Sequence, residues 1–205
     1  MLNLYILTIV VLIIFALLAW VLLKKQRKPG LNSPSTQTSM ASKQTEDWII
    51  YYASQRGRAK NIAEQTAQAL EANGKKVTII KLASIKPHDL AGKTHCLFIT
   101  STFGNGQAPE AARGFERKLK KNKILLNNMN FAVLALGDQQ YDRFCGFGKK
   151  LNRWLIQNQA NPINPIITVS QMNAQSIQEW HNFITTLKKM NSSGTRTEQT
   201  SSAIN

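Results

Sequence analysis

The chain has 205 residues, enough for one medium domain with additional segments, and 26 Lys and Arg stand against 11 Asp and Glu for a formal charge of +15. Such a balance points to nucleic acid, an anionic membrane or an acidic protein as partner. Two cysteines without CxxC spacing, Cys96 and Cys145, and three scattered histidines, His88, His95 and His181, argue against a disulfide framework and a zinc site and agree with a reducing compartment.

Residues 1–23 carry no charge and are almost wholly apolar. As a helix they would span about 34 Å at ~1.5 Å per residue, enough to cross a bilayer. Lys24, Lys25, Arg27 and Lys28 follow at once, and Trp20 lies near that boundary. A cleaved signal peptide needs a basic segment before its apolar run and a small-residue cleavage site after it. Neither is present, so the reading is one uncleaved transmembrane anchor. The basic flank then sets the globular part on the cytoplasmic side of the inner (cytoplasmic) membrane. Residues 29–46 are rich in Ser, Thr, Gln and Pro without periodicity. With the basic flank they form a flexible linker over 24–46, whose 29–46 stretch spans roughly 23 Å as a random coil. Residues 191–205 have similar composition and are expected to be a disordered tail.

Between linker and tail, at 47–190, apolar runs and amphipathic stretches alternate. Trp48-Ile49-Ile50-Tyr51-Tyr52-Ala53 reads as a strand. Ile62, Ala63, Thr66, Ala67 and Leu70 recur at helical spacing within 59–73, and Gly74 closes that helix. Val77-Thr78-Ile79-Ile80-Lys81-Leu82 is a second strand, and the run from Cys96 to Thr100 a third, after a short segment around Pro87-His88-Asp89-Leu90. Residues 110–119 read as a helix, 131–136 as a strand and 147–157 as a helix. Pro165-Ile166-Ile167-Thr168-Val169 is the last strand, its start blurred by two prolines. Residues 176–189 form a closing amphipathic helix with Ile177, Trp180, Phe183, Ile184 and Leu187 inward. Strand and helix alternate in the manner of an α/β domain with a parallel sheet covered on both faces.

Three strand-end loops carry the chemistry. Ser54-Gln55-Arg56-Gly57-Arg58-Ala59 runs into a helix, whose free N–H groups and partial positive charge attract phosphate. Leu97-Phe98-Ile99-Thr100 breaks into Ser101-Thr102-Phe103-Gly104-Asn105-Gly106 and then Pro109-Glu110. Phe131-Ala132-Val133-Leu134-Ala135-Leu136-Gly137-Asp138 is followed by Gln139-Gln140-Tyr141-Asp142-Arg143-Phe144-Cys145. In open α/β sheets ligands bind at such carboxyl ends, and two aromatics on neighbouring loops can hold a flat ring. Gly104-Asn105-Gly106 lacks the third glycine of a dinucleotide fingerprint. Lys118, Lys120, Lys121 and Lys123, the densest basic run, lack interleaved aromatics and read as a solvated helix face, so nucleic acid is not the expected partner.

Both later loops, with Gly148-Lys149, resemble the flavin loops of flavodoxin-like FMN-binding domains, and most of all the flavodoxin domain of sulfite reductase flavoprotein and other diflavin reductases. The resemblance runs from about Trp48 to about Leu187. It implies a flavodoxin-like three-layer sandwich with a five-stranded parallel sheet of order 2-1-3-4-5, preceded by the transmembrane helix. It also implies FMN as cofactor. The loop from Ser54 to Ala59 would hold the phosphate, with Arg56 standing where the family commonly has Thr and Arg58 where it has Asn. Ser101, Thr102, Asn105, Leu136 and Phe144 would line the ring site. Phe103 and Tyr141 would stack on the isoalloxazine, Gly104 and Gly106 would let backbone approach it, and Gly137 and Asp138 would contact ring or ribityl. Cys145 reads as a small buried filler, since no histidine lies close in sequence.

No catalytic acid, base or nucleophile emerges. The cofactor would pass one electron at a time, and the protein is expected to work without the FAD and NADPH module that the resemblance to diflavin reductases would put after this domain. The expectation is a membrane-anchored electron shuttle between a separate NAD(P)H-dependent reductase and an acceptor protein, acidic at its docking face. The other reading is a degenerate flavodoxin-like interaction module that has lost FMN and docks an acidic partner or membrane.

Overall fold

The computed structural model describes residues 47–119 and 123–187. The expected anchor at 1–23, linker at 24–46 and tail at 191–205 lie outside the described residues. Among the described residues no helix is long and apolar enough to cross a membrane.

The elements follow the expected alternation: β1 Asp47–Ala53, α1 Arg58–Ala72, β2 Lys76–Lys81, β3 His95–Ser101, α2 Arg113–Leu119, β4 Asn130–Gly137, α3 Gly146–Gln157, β5 Asn161–Pro162, β6 Ile167–Ser170 and α4 Ala174–Thr186. All strand pairings are parallel, in the order β2-β1-β3-β4-β5, with β6 also on β4. β3 and β4 are buried at every position but their ends, which is why they read as continuous apolar runs and not as alternating ones. β2 lies at the sheet's edge and is largely exposed.

The fifth sheet position differs from the single strand expected at 165–169. Two pieces share it: Asn130 and Phe131 pair with Asn161 and Pro162, and Leu134 next pairs with Ile167. Four residues of the outer strand therefore stand opposite two of β4. Pro162 and Pro165 have no N–H to give a ladder, and the chain bows outward between them. The helix expected at 110–119 opens as a 3-10 turn, Glu110–Ala112, before becoming α2.

Each face of the sheet has its own core. On one, Trp48, Ile50 and Tyr52 of β1, Leu97 and Ile99 of β3 and Leu134 of β4 pack against α1 and α4. On the other, Tyr51, Phe98, Phe131 and Val133 pack against α2 and α3. Buried Trp180 donates its indole N–H to Thr66 Oγ1 (3.0 Å), and that hydroxyl donates to the Ile62 carbonyl (2.7 Å), tying α4 to α1. In register, Ala53 lies beside Thr100 and Ser101 beside Leu136. β1, β3 and β4 thus end together and release their loops at one pole, where the strand order reverses.

Candidate functional site

The loop after β1 turns on Gly57, whose φ of 83° is left-handed and favours glycine, and α1 begins at the next residue. The first intrahelical bond is Asn61 N–H to the Gly57 carbonyl, 2.9 Å. The preceding N–H groups at the helix start are free of such partners, and no acidic residue occupies the first turn. This end of α1 therefore keeps its partial positive charge for an anion.

The loop after β3 is pinned at both ends. Thr102 N–H donates to the Leu136 carbonyl (2.8 Å), and Phe103 and Gln107 exchange backbone bonds of 2.8 and 3.0 Å. The enclosed turn pushes Phe103 outward to 40 % exposure, and the Arg113 guanidinium lies 5.5 Å from its ring centre. Gln55 Oε1 accepts from the Glu110 N–H at 3.1 Å, joining the first loop to the segment after the second.

The loop after β4 is braced by Asp138. Its carboxylate accepts from the Gln140 N–H (2.9 Å) and from Gln171 Nε2 (3.2 Å to each oxygen), the latter from the turn after β6. Tyr141 then stands 55 % exposed. Cys145, in left-handed conformation at the start of α3, is buried and donates its thiol to the Ala135 carbonyl at 3.1 Å. Burial pushes that thiol up to about 11, so it stays neutral at physiological pH and offers no nucleophile.

Together the loops enclose a cavity of about 440 Å³. Of the residues singled out in sequence, Gln55, Arg56, Arg58, Ser101, Thr102, Phe103, Gly104, Leu136, Gly137, Asp138, Tyr141, Phe144 and Cys145 line it. Ser54, Gly57, Ala59, Asn105 and Gly106 do not. Ala59 is fully buried in the core beneath α1, and Gly106 lies under Arg143, whose Cβ would be 2.6 Å from a β-carbon there. Sequence reading missed two wall residues, Arg143 and Met172. Arg143 lies inside a recognised loop, between Tyr141 and Phe144. Met172 follows β6, where only its strand-end position could have marked it.

The lining is cationic, with Arg56, Arg58 and Arg143 against one carboxylate, Asp138, already engaged by Gln171. Two buried hydroxyls at the site, Ser54 Oγ and Thr102 Oγ1, make no hydrogen bond within the structure. Buried polar atoms are rarely left so. A polar ligand reaching these loops would supply the missing partners.

A family model for flavodoxin matches residues 50–181. This chain belongs to the flavodoxin family. The flavodoxin domain is 35 % identical over 136 residues to the sulfite reductase [NADPH] flavoprotein alpha-component of Neisseria meningitidis, covering 66 % of this chain and 22 % of that one. Against the same component of Bacillus subtilis it is 32 % identical over 151 residues, covering 73 % of this chain and 25 % of that one. The chain thus spans about a quarter of these relatives' length. Among solved structures, a flavodoxin of Streptococcus pneumonia TIGR4 superposes with a TM-score of 0.60 at 23 % identity, covering 70 % of this chain and 99 % of that one. Oxidised flavodoxin 1 of Bacillus cereus gives 0.60 at 16 % identity, covering 70 % and 97 %.

FMN is the family's cofactor, and the cavity fits it in kind. A bare helix start with two arginines suits a phosphate, two outward aromatics suit a flat ring, and orphaned hydroxyls suit a polar ligand.

Proposed function

We propose that this chain is a membrane-anchored FMN protein that shuttles electrons between a separate NAD(P)H-dependent reductase and an acceptor protein. The observation that carries the reading is the cavity in which Phe103 and Tyr141, from adjacent strand-end loops, stand beside the cationic start of α1. Bound there, FMN supplies one-electron transfer. The protein's part is to bind, orient and shield. Arg56, Arg58 and the first turn of α1 hold the phosphate, charge-assisted hydrogen bonds being the stronger kind. Phe103, with Arg113 beside its ring, and Tyr141 hold the isoalloxazine. Asp138, locked by Gln140 and Gln171, fixes the third loop.

No side chain in this scheme has to move a proton, and the neutral Cys145 takes no part beyond packing. The arginine-rich rim favours a partner acidic at its docking face. Anchoring is supported by the uncharged stretch at 1–23, and an orientation toward the cytoplasmic face of the cytoplasmic membrane by the basic cluster after it.

A second reading, an interaction module without FMN, rests on Arg56 and Arg58 standing where the family has Thr and Asn. One preparation separates the two. The full chain, extracted from membranes in detergent, should carry a yellow chromophore that dithionite bleaches and a suitable acceptor re-oxidises. A colourless protein that takes up no added FMN would favour the module. A chain that washes off membranes in alkaline carbonate would defeat the anchor.

A further inference from the structure

At the pole opposite the flavodoxin cavity lies a second groove, of about 800 Å³. It runs between the last turns of α3 and the segment leading into β4. Among the described residues that line it are Lys123, Lys150 and Arg153 and no carboxylate. Lys150 is paired with Glu116 at 2.7 Å, which leaves Lys123 and Arg153 to set the groove's charge. Beside them Leu125 is 62 % exposed, and Ile156 on the last turn of α3 is 49 % exposed.

The exposure of Leu125 is built in. Ile124 N–H donates to Asn158 Oδ1 (2.6 Å) and Leu126 N–H to the Asn158 carbonyl (2.9 Å), while Asn158 Nδ2 donates to the Trp154 carbonyl (2.7 Å). Leu126 turns into the core at 2 % exposure. Its neighbour is thereby held outward, next to the cations.

We propose that this pole docks on an anionic lipid surface, Leu125 entering the headgroup region while Lys123 and Arg153 meet lipid phosphates. Apolar side chains flanked by basic ones are what an anionic interface selects. Position also favours lipid over an acidic redox partner. The groove sits at the amino-terminal end of β4, whose eight residues put it roughly 25 Å from the cavity at about 3.3 Å per residue. The chain enters the domain at Asp47, at this same end of the sheet. Docked so, the domain turns its cavity away from the lipid, toward soluble partners. The inference deepens the membrane reading above but does not need the anchor to hold.

The test uses residues 43–205, which contain both cores. Flavodoxins that stand alone as chains are covered over 97–99 % of their length by 70 % of this chain, so the fragment carries a complete fold. It is sedimented with vesicles of phosphatidylcholine alone, or of phosphatidylcholine mixed with phosphatidylglycerol. Binding is expected only to the mixed vesicles, and weaker as salt rises. Lys123→Gln/Arg153→Gln should bind roughly tenfold or more weakly, and Leu125→Ala severalfold. Far-UV circular dichroism checks that each variant keeps its fold, and Lys81→Gln, an exposed lysine at the carboxyl end of β2 and outside the groove, should bind as the parent does. No binding to the mixed vesicles overturns the proposal. So does binding that the double variant retains, or tighter binding of poly-glutamate than of vesicles, which would assign the groove to an acidic chain. Because the fragment lacks residues 1–23, its failure leaves the anchor standing, and failure of the anchor leaves its result intact.

Discussion

A β-carbon built on Gly146 would lie 2.7 Å from the Cα and the carbonyl oxygen of Gly106. The loop after β3 and the start of α3 therefore meet backbone to backbone, and this contact sets the spacing of the cavity's two aromatic loops.

Gly146→Ala would normally favour a helix by roughly 0.8–1 kcal/mol. Here the new methyl has only backbone to push against, so overpacking of about 1–3 kcal/mol wins. Urea denaturation should show net destabilisation, and FMN affinity should fall with it. A variant as stable as the parent would mean that the loops can part without cost.

The aromatics are predicted to act as a pair. Tyr141→Ala and Phe103→Ala should each weaken FMN binding by about 1–3 kcal/mol, the scale of a buried aromatic contact. Neither ring is buried in the protein alone, so fold stability should change little. Fluorescence titration of both single variants and the double variant decides it, and unchanged affinity in all three sinks the idea.

Thr66→Val keeps shape but removes the hydroxyl that accepts the buried Trp180 indole N–H. An unsatisfied buried donor costs about 1–3 kcal/mol. The denaturation midpoint should drop accordingly, with FMN affinity preserved because α1 keeps its first turn. Equal loss of affinity would show that the far end of α1 governs the phosphate loop.

Much of this was legible in the chain itself, and for identifiable reasons. β3 and β4 stand out because a strand buried on both faces must be apolar throughout. Gly57, Gly104 and Gly137 mark the loops because tight turns and close approaches exclude a side chain. Tertiary consequences were not legible. Trp180 and Thr66 are 114 residues apart, and nothing local links them. The break in the fifth sheet position depends on which N–H groups the β4 ladder needs, which two prolines blur but do not locate. Arg143 reaches the cavity only because Gly106 makes room for it.

Burial holds the Cys145 thiol up to about 11 and that of Cys96 up to about 12. Unfolded thiols ionise near 8.5–9. Between that range and pH 11–12 the unfolded chain has lost protons that the folded one keeps, so these thiols' contribution, complete below about pH 8.5, declines as pH rises through that window. Ellman's reagent should find no reactive thiol at mildly alkaline pH and both after unfolding in guanidinium. Rapid native reaction at Cys145 would contradict its burial.

The central claim, that the cavity is an FMN site whose phosphate contact is made by this chain's own arginines, is tested by titrating the full-length protein with FMN and with riboflavin at low and high salt. Losing a loop hydroxyl at position 56 forfeits roughly 0.5–1.5 kcal/mol, and a charged hydrogen bond to phosphate returns roughly 1.5–3 kcal/mol. The account predicts saturable quenching of FMN fluorescence, tighter for FMN than for riboflavin, with a preference that shrinks as salt rises and loses that salt dependence in Arg56→Thr/Arg58→Asn. Equal affinity for the two flavins, or no binding of either, would contradict it.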